Sequence, residues 1–342
     1  MTSTALVGIG LPTHNGESFI AQALESLLGQ DHPDLEIVVS DNASTDGTSD
    51  IVHELMRRDE RLRYERLDRK VSAATNFNRA FALSRGPYFM WAADDDVWDP
   101  TYVRRCLAAL DDHPAAVMAS SRLRFIDPAG DVLAADYDRY DNPDLSSDSV
   151  VERARLLLRR GGWYQVYGLA RRDALLRTRL FQDVYGPDVV LVLELALMGP
   201  IVRVPEALFS YRRFPGRTEA DRAGRQGGIP DETRVVSARM THLEEALSET
   251  VRSSALSGPL KLRLLGEIFR AAYIDDTPIR SKARPEAAGR AKSAARERDW
   301  ARFIKFSLVH QIGQLERLGS RRRSWVSRFR RLPSRARRRL GA

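Results

Sequence analysis

Leu35-Glu36-Ile37-Val38-Val39-Ser40 runs directly into Asp41-Asn42-Ala43-Ser44-Thr45-Asp46-Gly47-Thr48, and this junction decides the fold. Its first half is a short, largely apolar run, as expected of a buried strand. Its second half is an Asx-rich turn in which Asp46 or Thr48 caps the helix that follows, Thr48 to Arg58. Asp41, at the strand's end, is left to face a ligand. The same order recurs on either side. Ala5 to Leu11 reads as a strand, and Glu17 to Gly29 as a helix with Phe19, Ile20, Ala23, Leu24, Leu27 and Leu28 on one face. Leu62 to Arg66 is a strand, Ala74 to Ser84 a helix, and Tyr88 to Ala92 a strand opened by Gly86-Pro87. Pro100 starts a helix that runs to about Asp112, and Ala115 to Ser120 is the next strand. Such alternation predicts an α/β fold: a mostly parallel sheet flanked by helices, with ligands beyond the carboxyl ends of its strands.

Past Ser121 the alternation breaks. Arg122 to Leu133, with the turn Asp127-Pro128-Ala129-Gly130, reads as a hairpin, and Asp138 to Asp148 as a mobile polar loop. Val150 to Arg159, Arg171 to Thr178 and Asp188 to Met198 read as helices, and Ile201 to Val204 and Ala207 to Tyr211 as two strands around Pro205. From about Asp231 the pattern is helix after helix. The expected division is a catalytic-type α/β domain over 1–230, a helical region over 231–320 and an arginine-rich tail over 321–342.

The chain has 342 residues, 43% of them hydrophobic, and a single cysteine, Cys106. It therefore needs no disulfide framework, and Cys106 reads as a small buried apolar residue of a protein from a reducing, cytoplasmic compartment. The net charge of +8 suggests a polyanionic partner. However, ten arginines and no acid lie between Arg321 and Ala342, leaving 44 basic and 46 acidic residues in the first 320. That distribution argues against a nucleic-acid-binding body. No run of about 18 apolar residues is present, and Met1 to Gly10 lacks the charged start and long apolar stretch of a secretory signal.

Three polar clusters stand at strand ends: Pro12-Thr13-His14-Asn15-Gly16-Glu17, then Asp41 to Thr48, then Asp94-Asp95-Asp96. Adjacent carboxylates repel one another unless a cation or a solvated loop relieves them. Their hard oxygens suit Mg²⁺ or Mn²⁺ bridged to a diphosphate, while the same triplet also suits a helix N-terminus. Val7-Gly8-Ile9-Gly10 lacks the third glycine of a dinucleotide fingerprint, Thr13 standing there. No zinc spacing or serine nucleophile elbow occurs, and His14 alone of the six histidines lies in a candidate site loop.

Together, P-T-H-N-G-E from Pro12, D-N-A-S-T-D-G-T from Asp41 and W-A-A-D-D-D-V-W-D-P from Trp91 resemble glycosyltransferase family 2, the inverting GT-A fold enzymes. The resemblance spans roughly residues 5 to 215, with Gly186 to Leu197 and Tyr211-Arg212-Arg213 similar to the family's acceptor-side motif and closing strand. It implies that Pro12, Thr13, Asn15, Glu17 and Asp41 hold the base and ribose of a UDP- or dTDP-class sugar nucleotide. Asn76, Asp94 and Asp95 would also lie at the donor, and Asp95 and Asp96 would ligate Mn²⁺ or Mg²⁺. It further implies that Asp188 deprotonates the acceptor hydroxyl, on a glycan or lipid-linked acceptor; from its own pattern, 188–198 is simply a core helix.

The chain departs from the family pattern at Ala93, where the first aspartate of the D-x-D-D motif is expected, and at Phe214, where many relatives carry a histidine ligand. Fewer protein ligands to a metal are therefore expected, with Arg212 and Arg213 offering charge to the diphosphate. The signature Q-x-x-R-W is absent, so the expected reaction is a non-processive transfer in cell-surface polysaccharide or glycoconjugate synthesis. Two other readings remain: a nucleotidyltransferase, although Pro12 to Glu17 lacks a glycine- and arginine-rich triphosphate loop, and a non-catalytic sugar-nucleotide-binding protein. The tail interleaves Trp325, Val326, Phe329 and Leu332 with its arginines, which fits an anionic membrane such as the inner face of the plasma membrane, and Trp300 to Leu315 has helical spacing. In liposome flotation, the full chain should rise with anionic vesicles and a chain ending at Ser320 should not.

Overall fold

The computed structural model describes residues 5–133, 141–160, 164–184, 186–214 and 235–273. An eight-stranded mixed sheet runs through them. In chain order its strands are β1 (Val7–Thr13), β2 (Leu35–Asp41), β3 (Leu62–Arg66), β4 (Tyr88–Trp91), β5 (Val97–Trp98), β6 (Met118–Ile126), β7 (Leu169–Arg171) and β8 (Ile201–Arg212). Their order across the sheet is β3-β2-β1-β4-β7-β6-β8-β5. The first four pair in parallel, β7 runs antiparallel to β4 and β6, β6 and β8 are parallel, and β5 closes antiparallel on β8.

Burial on both faces explains the continuous apolar runs in the sequence. Along β4, Tyr88 and Met90 join a core with Ile9, Leu24 and Cys106, while Phe89 and Trp91 join another with Phe81, Leu157 and Val190. The helices α1 (Ile20–Leu28), α2 (Thr48–Met56) and α4 (Tyr102–Asp112) contribute to the first core. The helices α3 (Ala73–Leu83), α5 (Val150–Arg160) and α7 (Pro187–Met198) contribute to the second, and a one-turn α6 (Arg172–Leu175) follows β7. Every residue of α7 from Val189 to Leu197 is buried, Glu194 included, whose carboxylate accepts from the backbone N–H (2.8 Å) and Nε (2.5 Å) of Arg179.

Past Asp231 the described residues form two helices, α8 (Val235–Ser253) and α9 (Gly258–Tyr273). They pack on α7 and α5, where Arg155 donates to both oxygens of Glu267 at 3.0 and 2.8 Å. The helical stretch expected at 300–315 and the arginine tail lie outside the described residues. Among the described residues, no helix is long and apolar enough to cross a membrane.

Several expectations are corrected. β1 and β2 continue past Leu11 and Ser40 to Thr13 and Asp41, because the two strands stay in register to the pair Thr13↔Asp41. The strand ending at Ser120 and the first arm of the expected hairpin are one strand, β6, whose return arm pairs only through an Ile126↔Val132 bridge. Pro205 does not divide two strands: Ser121 faces Val204 and Arg122 faces Ala207, so Pro205 and Glu206 bulge out of a continuous β8. The helix expected over 171–178 is reduced to α6: Arg171 is taken up as the last residue of β7, and past Leu175 the backbone tightens into turns, with Arg177 N–H on the Ala174 carbonyl and Thr178 N–H on that of Leu175. Of the polar loop expected over 138–148, residues 141–148 are described, and they are irregular backbone tied to the sheet. Asp141 accepts from Arg122 Nε (2.7 Å) and the Leu123 N–H (3.1 Å), and buried Leu145 bridges to Ile201.

Gly8 illustrates how tightly β1 is held. A Cβ there would lie 2.5 Å from the Arg85 carbonyl oxygen, an atom of the backbone that cannot swing aside. Gly8→Ala should therefore lower the stability read from urea unfolding by about 1–3 kcal/mol, the usual cost of overpacking.

Candidate active site

The loops that leave β1 and β2 are bound to each other. Asn15, at φ +56°, receives the Thr45 N–H on Oδ1 (2.9 Å) and donates its own N–H to Ser44 Oγ (2.9 Å). Gly16 N–H donates to Thr48 Oγ1 (2.9 Å), Glu17 N–H to Asp46 Oδ2 (3.1 Å), and Gly47 N–H to Glu17 Oε2 (3.1 Å). Asp46 also accepts from the Thr48 N–H (3.1 Å) in an Asx turn, but the N-cap of α2 is Gly47, not the expected Asp46 or Thr48, and no side chain caps the helix. Asp41 is fully buried. Its Oδ1 takes the Ser44 N–H and hydroxyl (2.8 and 2.6 Å), and its Oδ2 takes the hydroxyl of Tyr64, whose pKa is pushed up to about 12 by burial and by this bond. Asn15, Glu17 and Asp41 thus shape the loops from within.

Asn76 does the same for the sheet edge. Its Oδ1 accepts from Ser40 Oγ (2.7 Å) and its Nδ2 donates to the Ser40 carbonyl (2.9 Å), tying α3 to the end of β2. Thr13 Oγ1 donates to Asp94 Oδ2 (2.5 Å), linking β1 to the acid triplet. Asp96, 1% exposed, accepts the Arg212 N–H on Oδ1 (2.7 Å), while its Oδ2 is buried without a partner. Burial, then the charges of Asp95 and Asp94, raise its pKa well above the carboxylate range.

Arg212 is itself 2% exposed. Its guanidinium donates to the carbonyls of Asp95 (2.7 Å), Asp127 (2.9 Å) and Pro128 (3.0 Å) and to Gln22 Oε1 (2.5 Å), and lies over the Phe19 ring at 4.7 Å. This network makes Arg212 a latch on the acid loop. Arg213 lies over the Phe125 ring at 4.5 Å.

These elements surround an open cleft of about 180 Å³. Pro12, Thr13, His14 and Asn42 line it from the ends of β1 and β2, and Ala73, Asn76 and Phe77 from α3. Ala93, Asp94 and Asp95 line it after β4; Tyr167, Tyr211, Arg212 and Phe214 complete the wall. The structure therefore brings Pro12, Thr13, Asn76, Asp94, Asp95 and Arg212 together, and leaves Asn15, Glu17, Asp41, Asp96, Asp188 and Arg213 off the lining. Phe77 and Tyr167 were not legible as site residues, since aromatic residues in such positions read as core; Asn42 and Tyr211 lay in the quoted strand-end cluster and closing strand without being singled out. Phe214 packs edge-on against Phe19, with ring centroids 5.3 Å apart. The pKa of His14 is lowered, by burial and then by Lys70.

Asp188 stands in the first turn of α7, after Gly186 in the left-handed region at φ +67° and Pro187 at the helix start. Its side chain is half-buried, and burial raises its pKa, opposed by backbone N–H bonds at the helix terminus. It lies within electrostatic reach of Tyr167, as do Asp95 and Asp96.

A divalent cation fits this arrangement only with help from a ligand. Asp95 faces the cleft and Asp96 keeps an unpartnered buried oxygen, yet among the described residues no three acidic, histidine or cysteine side chains are grouped to enclose a metal. Mg²⁺ commonly binds through one or two carboxylates plus substrate phosphates, and that mode is open here.

Residues 9–160 match the family described as Glycosyl transferase family 2. The chain is 34% identical over 93 residues to the putative teichuronic acid biosynthesis glycosyltransferase TuaG of Bacillus subtilis, a match covering 27% of this chain and 37% of that protein. Its fold is similar to that of S. aureus TarS 1–349, solved in complex with UDP-GlcNAc, with a TM-score of 0.60 and 17% identity over 78% of this chain and 72% of that one. It is also similar to the mannosyltransferase PcManGT of Pyrobaculum calidifontis, in complex with GDP-Man and Mn2+, with a TM-score of 0.55 and 18% identity over 92% of this chain and 84% of the other.

The latch can be tested directly. A lysine ammonium cannot reproduce the planar fork that serves all these acceptors. Arg212→Lys should lower stability by about 2–3 kcal/mol in urea unfolding, of the order of a broken charge-assisted hydrogen bond with stranded acceptors. Unchanged stability with lost nucleotide affinity would instead assign Arg212 to the ligand.

Proposed function

Since the chain is a glycosyltransferase family 2 protein of the GT-A fold, we propose that it moves a sugar from a nucleoside-diphosphate donor to an acceptor hydroxyl, inverting the anomeric centre in one displacement. The observation that carries this reading is one cleft joining the ends of β1, β2 and β4 to Asp94 and Asp95, with Asp188 in electrostatic reach of the same wall residue as Asp95.

Pro12, Thr13, His14 and Asn42 form the part of the cleft that receives base and ribose. The preorganised loops and the tie from Asn76 fix its shape. Asp94 and Asp95 mark the diphosphate end, where Mn²⁺ or Mg²⁺, when bound, neutralises charge on the leaving diphosphate. Asp188 takes the proton of the acceptor hydroxyl. The freed oxygen lone pair attacks the anomeric carbon as the bond to the diphosphate oxygen breaks on the opposite face, and Asp188 then returns its proton to water. A raised pKa suits this task, since a base works best when its pKa approaches the working pH.

The TarS complex with UDP-GlcNAc supports a UDP-class donor, and the similarity to a putative teichuronic acid biosynthesis glycosyltransferase supports a glycan or lipid-linked acceptor in cell-surface polysaccharide or glycoconjugate synthesis. A cytoplasmic enzyme held at the inner membrane face by the arginine tail suits such an acceptor.

Calorimetry with UDP and Mn²⁺, paired with turnover, tests the proposal. The wild type should bind UDP, and Asp95→Ala should weaken that binding at least about tenfold, equivalent to roughly 1.4 kcal/mol. Asp188→Asn should keep UDP affinity while turnover falls about 10²–10⁴-fold, the range for loss of a general base. Because the pKa of Asp188 is raised, wild-type turnover should climb with pH through a limb displaced above the ordinary carboxylate range. Failure to bind UDP or dTDP, or an active Asp188→Asn variant, would overturn the donor or the base respectively.

A further inference from the structure

In-line displacement requires the transferred sugar to lie between the group that holds the diphosphate and the base that activates the acceptor. Tyr167 is the cleft-wall residue that adjoins both. It lines the cleft with Asp94 and Asp95, and its phenol is within electrostatic reach of Asp96, Asp95 and Asp188.

The residue is held firmly. It ends the 3₁₀ turn Tyr164–Tyr167, and its carbonyl accepts from the Tyr102 hydroxyl at 3.0 Å. The next residue, Gly168, donates its N–H to the Gln165 carbonyl at 2.7 Å, and a Cβ on it would lie 2.7 Å from the Ala119 oxygen. The ring of Tyr167 packs on Phe209 with centroids 5.6 Å apart. Its side chain is nevertheless half-buried rather than sealed, and among the described residues its hydroxyl makes no hydrogen bond. A polar group fixed by its own ring, backed by apolar contacts and left open on a cleft is arranged to bond a ligand. Burial, then Asp96, Tyr211, Asp95 and Asp188, keep the phenol neutral, so it retains a proton to donate.

We propose that Tyr167 is a specificity residue for the transferred sugar, its hydroxyl donating a hydrogen bond to an oxygen of the pyranose that lies between the diphosphate end of the cleft and Asp188. Tyr211, a further cleft residue whose ring stands 4.6 Å from that of Tyr164, supplies aromatic surface beside it. A pyranose that presents a hydroxyl to the fixed phenol is favoured, and an epimer that turns the hydroxyl away leaves the donor unpaired. This inference rests on the proposed donor chemistry.

Tyr167→Phe removes only the hydroxyl and keeps the ring packing. UDP, UDP-glucose, UDP-galactose and UDP-N-acetylglucosamine are titrated with Mn²⁺ into the wild-type and variant full chains, and thermal unfolding of both is recorded. The wild type should separate the three sugar nucleotides in affinity. The variant should bind UDP as the wild type does and lose about three- to tenfold of that separation, the worth of one neutral hydrogen bond. A separation that survives in the variant, an equal weakening of UDP and sugar nucleotides, or a wild type that binds all three sugars alike would overturn the assignment. A wild type that ignores UDP itself would overturn the proposed donor, and the subsite with it.

Discussion

The buried guanidinium of Arg212 is the contact on which the site depends. It reaches from the last residue of β8 to the carbonyl of Asp95, to the turn at Asp127 and Pro128, and to Gln22 of α1, while its own backbone N–H fixes Asp96. A buried cation is tolerated only when its donors are satisfied, and here the acceptors come from segments far apart in sequence. The consequence is geometric: the acid loop after β4 is held against β8 and α1, and the two strands that frame the cleft cannot drift independently.

That constraint also sorts three consecutive aspartates into different environments. Asp94 is drawn to Thr13 at the end of β1, Asp95 lends its carbonyl to the latch and its side chain to the cleft, and Asp96 is enclosed with one oxygen unpartnered. Like charges this close disfavour joint ionisation, and burial places the heaviest penalty on Asp96. The position of Ala93 on the lining means that the expected first carboxylate is absent from a surface that Asp94 and Asp95 still share.

Much of the architecture was legible because its strands are buried on two faces and so leave unbroken apolar runs, as in Leu35 to Ser40. The sheet's later half was harder. β7 has only three residues, too few for any alternation to register, and Pro205 looked like a break because a sequence does not reveal that Pro205 and Glu206 bulge from one strand. At the site, the family resemblance pointed to Thr13, Asn76 and Asp95, which meet in the cleft. It did not distinguish residues that touch the cleft from those that shape it: Asn15, Glu17 and Asp41 carry polar groups that local chemistry alone would offer to a ligand, and contacts within the loops take them up. Tyr167 had no signal of its own, since an aromatic residue in a short turn ordinarily packs inward.

The mutual binding of the loops after β1 and β2 bears on how the cleft recognises anything at all. Ordering a residue's backbone costs roughly 1–2 kcal/mol, and where loops close only around a ligand that cost is subtracted from affinity. Here Asn15, Gly16 and Glu17 are already fastened to Ser44, Thr45, Asp46, Gly47 and Thr48. The ordering belongs to folding, so a nucleotide meets a rigid receptor whose shape discriminates by fit. Selectivity at this end of the cleft is settled when the chain folds, before any donor arrives.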